Sequence, residues 1–172
     1  MYVKMTNMEI AKVQIVDDND RIIGHKERSE IDDKKDIYRV SSLWLTNSKQ
    51  EVLLAQRKHT KANEPGKWGP AVAGTLEGDE NFESNIIKEI SEEIGLTNLN
   101  IKKGPYIRIN NPRNYFCQWY TASLDIPAED ITAQEEEVER VAWFNKKELK
   151  KQIKSDPSKF VASMPRIADL FL

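Results

Sequence analysis

Cysteine is almost absent from this sequence, and its scarcity restricts the chemistry available. Cys117 is the only cysteine, so an intramolecular disulfide is excluded. Its surroundings, NYFCQWYTASL, have the pattern of a strand, which predicts a buried free thiol rather than a nucleophile. The only histidines, His25 and His59, are far apart in sequence and do not form a metal-ligand pair.

An excess of one charge and a long apolar run are also missing. Lys and Arg number 26, Asp and Glu 28, and the net charge is -2, which offers no basic surface for nucleic acid. No stretch approaches transmembrane length, and the start MYVKMTNMEIAK lacks the apolar core of a signal peptide. We therefore expect a cytoplasmic protein that binds neither nucleic acid nor membrane.

Strand patterns dominate the first seventy residues and return after the middle of the chain. We predict three hairpins, formed by EIAKVQIVD with RIIGHKE, YRVSSLWLTN with EVLLAQRK, and GPYIRIN with NYFCQWYTASLD. EVERVAWF predicts a further strand, and NKKELKKQIKS and KFVASMPRIADLFL predict helices, the second broken or starting late at Pro165. A single domain over residues 1–172 follows, with residues 1–36 as an N-terminal strand and hairpin extension.

The segment GTLEGDENFESNIIKEISEEIGL, residues 74–96, carries seven acidic side chains in twenty-three positions. Gly95 suits the left-handed residue that ends a helix. An apolar stripe at helical spacing predicts a helix whose one face packs on a sheet; its members are Phe82, Ile86, Ile87, Ile90 and Ile94.

Three glutamates of this helix have no obvious structural explanation. Glu89, Glu92 and Glu93 project from one side of the helix, next to the apolar stripe. They lie in its last two turns, where the helix dipole disfavours anions, and only Lys88 lies among them as a counter-charge. Clustered carboxylates without His or Cys suit a hard divalent cation such as Mg²⁺ or Mn²⁺.

The segment resembles the Nudix box, G-x5-E-x7-R-E-U-x-E-E-x-G-U, where U is a bulky aliphatic residue. Lys88 stands where the family has Arg, and the remaining fixed positions match: Gly74, Glu80, Glu89, Ile90, Glu92, Glu93, Gly95 and Leu96. The resemblance implies a mixed α/β (α+β) fold, the Nudix α/β/α sandwich with a mixed sheet, in which residues 74–96 form a loop and a helix. It also implies hydrolysis of a nucleoside diphosphate derivative or a related organic diphosphate.

The resemblance assigns roles to residues of the box. It implies that Glu89, Glu92 and Glu93 hold Mg²⁺ or Mn²⁺, helped by a backbone carbonyl at Ala73 or Gly74. Glu89, Glu93 and Lys88 are also the catalytic candidates within the box, whereas Glu80 is expected to brace the junction between loop and helix. The family arginine holds the adjacent glutamate through a salt bridge. Lys88 supplies the charge without the planar two-pronged hydrogen bonding.

Residues outside the box complete the candidate site. In several family members a further glutamate, six positions before a tryptophan, acts as base or extra metal ligand. Counting back six positions from Trp143 gives Glu137. The alternative is that Glu137 belongs to an exposed acidic loop without a catalytic role. Arg57, at the end of a predicted strand, is a candidate to bind phosphate. Trp68 is a candidate to stack on the substrate, with a packed loop anchor as the alternative.

Two other functions stay open at this stage. VDDNDRIIGHKERSEI and LLAQRKHTKANEPGKW resemble the Nudix group that includes isopentenyl-diphosphate isomerase. That activity requires a cysteine shortly after Trp68 and a histidine-containing metal site, and GPAVAGT provides neither. The second alternative is a catalytically silent binding module, suggested by Lys88. The identity of the diphosphate is not decided, nor is the oligomeric state, although the N-terminal hairpin could mediate a homodimer.

Overall fold

A computed structural model describes residues 11–172 of the chain. Nine strands and three helices make up its regular structure. The strands are β1 (Val13–Val16), β2 (Ile22–Lys26), β3 (Ile37–Thr46), β4 (Glu51–Arg57), β5 (Trp68–Pro70), β6 (Val72–Thr75), β7 (Lys102–Ile109), β8 (Tyr115–Ser123) and β9 (Val138–Asn145). The helices are α1 (Phe82–Ile94), α2 (Lys146–Ser155) and α3 (Met164–Phe171).

Strand β3 is the centre of a mixed sheet. It pairs antiparallel with β1 and β6 and parallel with β8 over nine residue pairs, from Tyr38–Tyr115 to Thr46–Ser123. Strand β4 pairs antiparallel with β5 and β9, and β2 forms one edge of the strand order. The sheet is therefore assembled mostly from partners that are distant in sequence.

The predicted hairpins are confirmed in part. β1–β2 and β7–β8 are hairpins, although Glu9 and Ile10 of the first predicted strand lie outside the described residues. β3 and β4 share only the pair Thr46–Val52 before they separate toward other partners. The loop expected at the start of residues 74–96 is instead the end of a strand, because residues 68–75 form β5 and β6. The box therefore begins on a strand and not in a loop.

Helices cover both faces of the sheet, as the α/β/α sandwich requires. On one face α1 buries Ile86, Ile90 and Ile94 against Leu43 and Leu45 of β3. Trp44 lies between those two leucines in sequence and therefore faces the opposite side. There it packs with residues of α2 and α3, namely Leu149, Ile153, Met164, Ile167 and Ala168.

The ends of the helices agree with the sequence pattern. Asn81 caps α1 by accepting a hydrogen bond from the Ser84 N–H, and Gly95 ends the helix in the left-handed conformation with φ 65°. The buried stripe is one residue narrower than predicted, because Ile87 is 55% exposed. Helix α3 starts late, with Pro165 in its first turn.

Candidate active site

A cavity of about 670 Å³ lies on the α2–α3 side of the sheet and reaches the C-terminal end of α1. Its charged wall contains Arg57 from the end of β4, Glu93 from α1 and Glu137 from the loop before β9. Its remaining wall mixes polar and charged residues, among them Arg28, Gln56, Asn63, Glu64 and Arg113, with apolar ones, which include Val40, Ile107, Ile109, Tyr115, Cys117, Trp119, Val161 and Ile167. Charged and apolar recognition are thus combined in one space.

Glu93 is the carboxylate of α1 that lines this cavity. Its Oε2 accepts a hydrogen bond from the backbone N–H of Ala73 at 3.0 Å. Burial raises the pKa of Glu93 to about 8, and the negative charges of Glu89 and Glu137 act in the same direction. A carboxylate in this position gains more from a bound cation than a solvated one does.

Glu89 lies directly over Gly74 of β6. A Cβ atom added at residue 74 would be 2.2 Å from Glu89 Cγ, so no other residue fits without displacing this glutamate. Burial raises the pKa of Glu89, which is partly offset by the neighbouring charge of Lys88. Because Gly74 and Ala73 are consecutive, β6 places Glu89 and Glu93 side by side.

Glu92 is set apart from this pair. It is exposed and lines a shallow groove with Ile87, Lys88 and Leu96 rather than the cavity. In residues 11–172 no three Asp, Glu, His or Cys side chains form a ready-made metal cage. The donors nevertheless fit a hard divalent cation, because two carboxylates with raised pKa values and only oxygen ligands meet beside Gly74.

Glu80 is held by three donors, as expected for a brace between the loop and α1. The Glu77 N–H donates to its Oε2 at 2.9 Å, the Asn85 side chain donates to the same oxygen at 2.9 Å, and Lys88 Nζ donates to Oε1 at 2.6 Å. Burial alone would raise the pKa of Glu80, but these bonds outweigh it and lower the pKa. We call Glu80, Asn85 and Lys88 the brace.

Lys88 lies between two carboxylates. Its Nζ is 2.6 Å from Glu80 Oε1 and 3.5 Å from Glu89 Oε1. Burial opposes its charge, but the pairing with Glu80 and then Glu89 raises its pKa overall. Lys88 therefore reaches the glutamate that the family arginine is expected to hold, yet its shorter ion pair is with Glu80.

Glu137 faces the cavity in an ion pair. Lys61 Nζ donates to both of its carboxylate oxygens, at 2.7 and 2.6 Å, and the Lys58 N–H donates to its backbone carbonyl at 3.1 Å. Arg57 lies nearby, its Nε donating to the Asn63 carbonyl at 3.0 Å. The end of β4 and the loop after it thus supply Arg57 and Lys61, the positive charges near Glu93 and Glu137.

Trp68 is not among the residues that line the cavity. Its ring packs edge-on against Phe144, with centroids 4.9 Å apart, and Arg140 lies over it at 5.2 Å. Its carbonyl accepts the Val161 N–H at 2.9 Å and ties the C-terminal segment to β5. This environment is that of a packed anchor, the alternative to substrate stacking.

Sequence reasoning passed over Asn85, which is fully buried between Glu80 and Glu89. A signal was present, because a polar residue four positions before Glu89 on a helix lies directly beside it. The partnership of Lys61 with Glu137 has no such signal, since the two residues are 76 positions apart.

Comparison with known proteins identifies the family of this chain. The NUDIX domain family matches residues 37–164. The chain belongs to the Nudix family. A prenyl-diphosphate phosphatase of Methanosarcina mazei is 29% identical over 159 residues, covering 87% of this chain and 88% of that protein. An isopentenyl-diphosphate Delta-isomerase of Aliivibrio fischeri is 24% identical, covering 90% and 91%.

Solved structures support the fold independently. A MutT NUDIX hydrolase of Burkholderia pseudomallei aligns with a TM-score of 0.60 at 20% identity, over 79% of this chain and 98% of that one. The crystal structure of DR0079 from Deinococcus radiodurans aligns with a TM-score of 0.83 at 16% identity, over 94% of this chain and 99% of that one. The Nudix α/β/α sandwich is therefore confirmed. The protein is a Nudix hydrolase that acts on a diphosphate linkage, and use of a divalent metal is general in the family. Among the described residues, no helix is long and apolar enough to cross a membrane.

Proposed function

We propose that this Nudix hydrolase removes phosphate from an organic diphosphate with an apolar, prenyl-like moiety, using Mg²⁺ or Mn²⁺. The observation that carries the proposal is the single cavity in which Glu93, Glu137 and Arg57 adjoin an apolar wall. The similar protein of Methanosarcina mazei, named a prenyl-diphosphate phosphatase, supports the same substrate class.

The apolar wall favours a hydrocarbon over a nucleoside. Burial of each CH₂ group contributes about 0.8 kcal/mol, so a five-carbon unit gains several kcal/mol on entering such a cavity. A nucleobase would need hydrogen-bonding partners for its ring nitrogens and exocyclic groups. The patch formed by Ile107, Ile109, Val161 and Ile167 provides none, although Gln56 and Asn63 line the cavity elsewhere.

The roles of the charged residues follow from their positions. Glu89 and Glu93, with the backbone carbonyl of Ala73 or Gly74 and Glu92 from the next helical turn, would hold the divalent cation. When bound, that cation would neutralise the diphosphate and acidify the attacking water. Arg57 binds the phosphate oxygens. Glu137 accepts a proton from the water, once the phosphate competes for its partner Lys61.

A substrate panel tests the proposal. Prenyl diphosphates, sugar nucleotides and dinucleoside polyphosphates are incubated with Mg²⁺, Mn²⁺ or EDTA, and the products are identified by mass. We expect metal-dependent phosphate release that is fastest from prenyl diphosphates. Preference for nucleotides would overturn the prenyl class. Metal and substrate binding without turnover would instead identify a silent binding module.

Arg57 allows a sharper version of this test. Arg57→Ala should raise the KM for the preferred diphosphate about tenfold, since a hydrogen bond to a charged group contributes roughly 1.5–3 kcal/mol. Arg140→Ala is the matched control, because Arg140 lies over Trp68 outside the cavity. An equal rise in KM for both variants would show that overall charge, and not the position of Arg57, is responsible.

Isomerase activity is the competing function, favoured by the similarity to the Aliivibrio fischeri enzyme. The only cysteine argues against it, because burial raises the pKa of Cys117 to about 12 and keeps the thiol protonated. With isopentenyl diphosphate and Mg²⁺ in deuterated water, we expect no dimethylallyl isomer. Deuterium incorporation at carbon, observed by NMR, would establish the isomerase.

We further propose that residues 1–172 act as one Nudix domain, extended at the N-terminus by residues 1–36. The pairing of β1 with β3 supports this, because it joins the extension to the central sheet.

The edge strand β2 exposes Ile22 and Ile23, and it is the surface where we would place a homodimer contact. Replacing both with Lys should then yield a monomer in sedimentation experiments. The buried free thiol supports a cytoplasmic location.

A further inference from the structure

Asn85 is a polar residue on the buried face of α1. Its side chain is fully buried, as is that of Ser41 on β3, and Ile86 and Ile90 pack close by in the apolar core. Burying an amide is unfavourable unless its hydrogen bonds are satisfied, so its partners explain what it does there.

One hydrogen-bond donor and three acceptors surround the side-chain amide of Asn85. The Ser41 hydroxyl donates to its Oδ1 at 2.5 Å. Its Nδ2 donates to Glu80 Oε2 at 2.9 Å, and lies 3.4 Å from both Glu89 Oε1 and the Thr75 carbonyl. Because carboxylate and carbonyl oxygens only accept, the NH₂ group must face them, and the orientation of the amide is fixed.

Lys88 contacts the same two carboxylates. It lies 2.6 Å from Glu80 Oε1 and 3.5 Å from Glu89 Oε1. A lysine presents its donors from one atom, whereas an arginine presents a planar fork that can bind two carboxylates at defined angles. With Lys at this position of the box, a second group is needed to hold Glu89 at a fixed angle.

We propose that Asn85 is a positioning residue that supplies this second group. Asn85 and Lys88 together hold Glu80 and Glu89 in the arrangement that a single arginine fork would impose. The proposal rests on the proposed function, because Glu89 matters to the reaction only as a ligand of the divalent cation. The box leaves position 85 unspecified, so the motif itself assigns this residue no role.

A cycle of two substitutions tests the proposal. Asn85→Ala and Lys88→Arg are made singly and together, and kcat, KM and Mn²⁺ affinity are measured for each protein. Asn85→Ala should lower kcat and Mn²⁺ affinity about tenfold, the scale for groups that support a metal ligand, with little change in KM. In the Lys88→Arg protein the same substitution should cost less than about threefold, because a guanidinium supplies the missing donor.

Two further variants separate positioning from folding. Asn85→Asp keeps the shape of the side chain but replaces the NH₂ donor with an acceptor facing two carboxylates, so it should be at least as harmful as Asn85→Ala. Ser84→Ala removes the capping hydroxyl of α1 without touching Glu80 or Glu89. It should lower Tm by about 2–4 °C while kcat and Mn²⁺ affinity stay unchanged.

The outcomes distinguish this inference from the proposed function. If Asn85→Ala lowers only Tm, Asn85 is a packing residue and the inference is wrong. If it reduces kcat and Mn²⁺ affinity by the same factor in the Lys88 and Lys88→Arg proteins, Asn85 does not supply the donor that the arginine fork would provide, and the inference is also wrong. If the wild type hydrolyses no diphosphate, the proposed function fails. The Mn²⁺ affinities of the four proteins still decide the inference.

Discussion

The two ends of the Nudix box treat their carboxylates in opposite ways. At the brace, Glu80 accepts hydrogen bonds from three donors and its pKa is lowered. At the cavity, Glu93 accepts one, from the Ala73 N–H, and its pKa is raised to about 8. Both glutamates belong to one short segment, so the contrast arises from their surroundings.

The contrast indicates which charges the protein itself satisfies. A carboxylate surrounded by donors is already neutralised and serves to hold the loop against α1. A desolvated carboxylate with one donor has an unfavourable charge that a cation can relieve. Glu89 lies between these extremes, touched by the brace on one side and placed beside Glu93 by Gly74 on the other.

The largest expected effect comes from Glu93→Gln, which keeps the acceptor for the Ala73 N–H but removes the charge. Substitution of a residue that only supports a metal ligand lowers activity by up to ~100-fold. Because Glu93 is itself a proposed ligand, its substitution should lower turnover by more than this. Mg²⁺ should no longer raise Tm, because binding to the native state is lost. Calorimetric melting with Mg²⁺ and with EDTA measures this.

Glu83→Gln is the matched control for that substitution. Glu83 is exposed in the first turn of the same helix, away from the cavity. It should retain turnover and the Mg²⁺-dependent rise in Tm. A Glu93→Gln protein that still melts at a higher temperature with Mg²⁺ would contradict the assigned metal site.

A smaller effect is expected on the brace side. Lys88→Ala removes one of the two groups that contact Glu89, so kcat should fall about tenfold and KM should change little. Lys88→Arg should retain or increase kcat. If Lys88 only tempers repulsion between helix charges, Lys88→Ala will be slightly less stable with near-normal turnover, and the positioning role will be wrong.

The pH dependence of stability gives a subtler measurement of the same contrast. The folded-state pKa of Glu93 is raised, so the native state holds a proton that the unfolded chain has released. In EDTA, the stabilisation that comes from protonated Glu93 is fully present at pH values below the ordinary glutamate pKa. It is lost as pH rises through about 8.

Between pH 5 and 8 the metal-free protein should therefore become less stable, by at most about 1.4 kcal/mol per pH unit from this group. Urea unfolding at several pH values measures the slope. Glu93→Gln should flatten it, and Glu83→Gln should not. A wild-type slope that is unchanged by Glu93→Gln would show that Glu93 is ionised in the metal-free fold.

The smallest effect on catalysis is expected at Trp68. Because its ring packs on Phe144 and not in the cavity, Trp68→Leu should lower Tm with KM nearly unchanged. Steady-state kinetics beside a thermal melt measures both. A clear rise in KM without loss of Tm would restore the stacking role.

The sequence predicted elements that depend on local pattern. Helix α1 and its end at Gly95 follow from spacing along one segment, and the bracing position of Glu80 follows from the resemblance of that segment to the Nudix box. Strands β5 and β6 were missed because GPAVAG contains small residues, Gly and Pro, which have low strand propensity. Their pairing with β4 and β3 comes from the tertiary fold.

The rest of the site depends on contacts that no local pattern encodes. Lys61 and Glu137 meet only because β4 and β9 are neighbours in the sheet. Ile87 is exposed although its neighbour Ile86 is fully buried on the same helix. Helical periodicity gives the direction of a face, but the partner decides how much of that face is covered.

The parallel pairing of β3 with β8 has a consequence for how the molecule folds. β3 lies near the start of the described chain, yet one of its two edges is occupied by a strand that is synthesised after α1 and β7. Closing so long a loop is slow, because the entropy of closure must be lost before any contact compensates for it. The core of a nascent chain should therefore not form completely until residues 115–123 have been synthesised. Until then the apolar side chains of Leu43, Trp44 and Leu45 are exposed, and we expect them to be the first to bind chaperones or to aggregate.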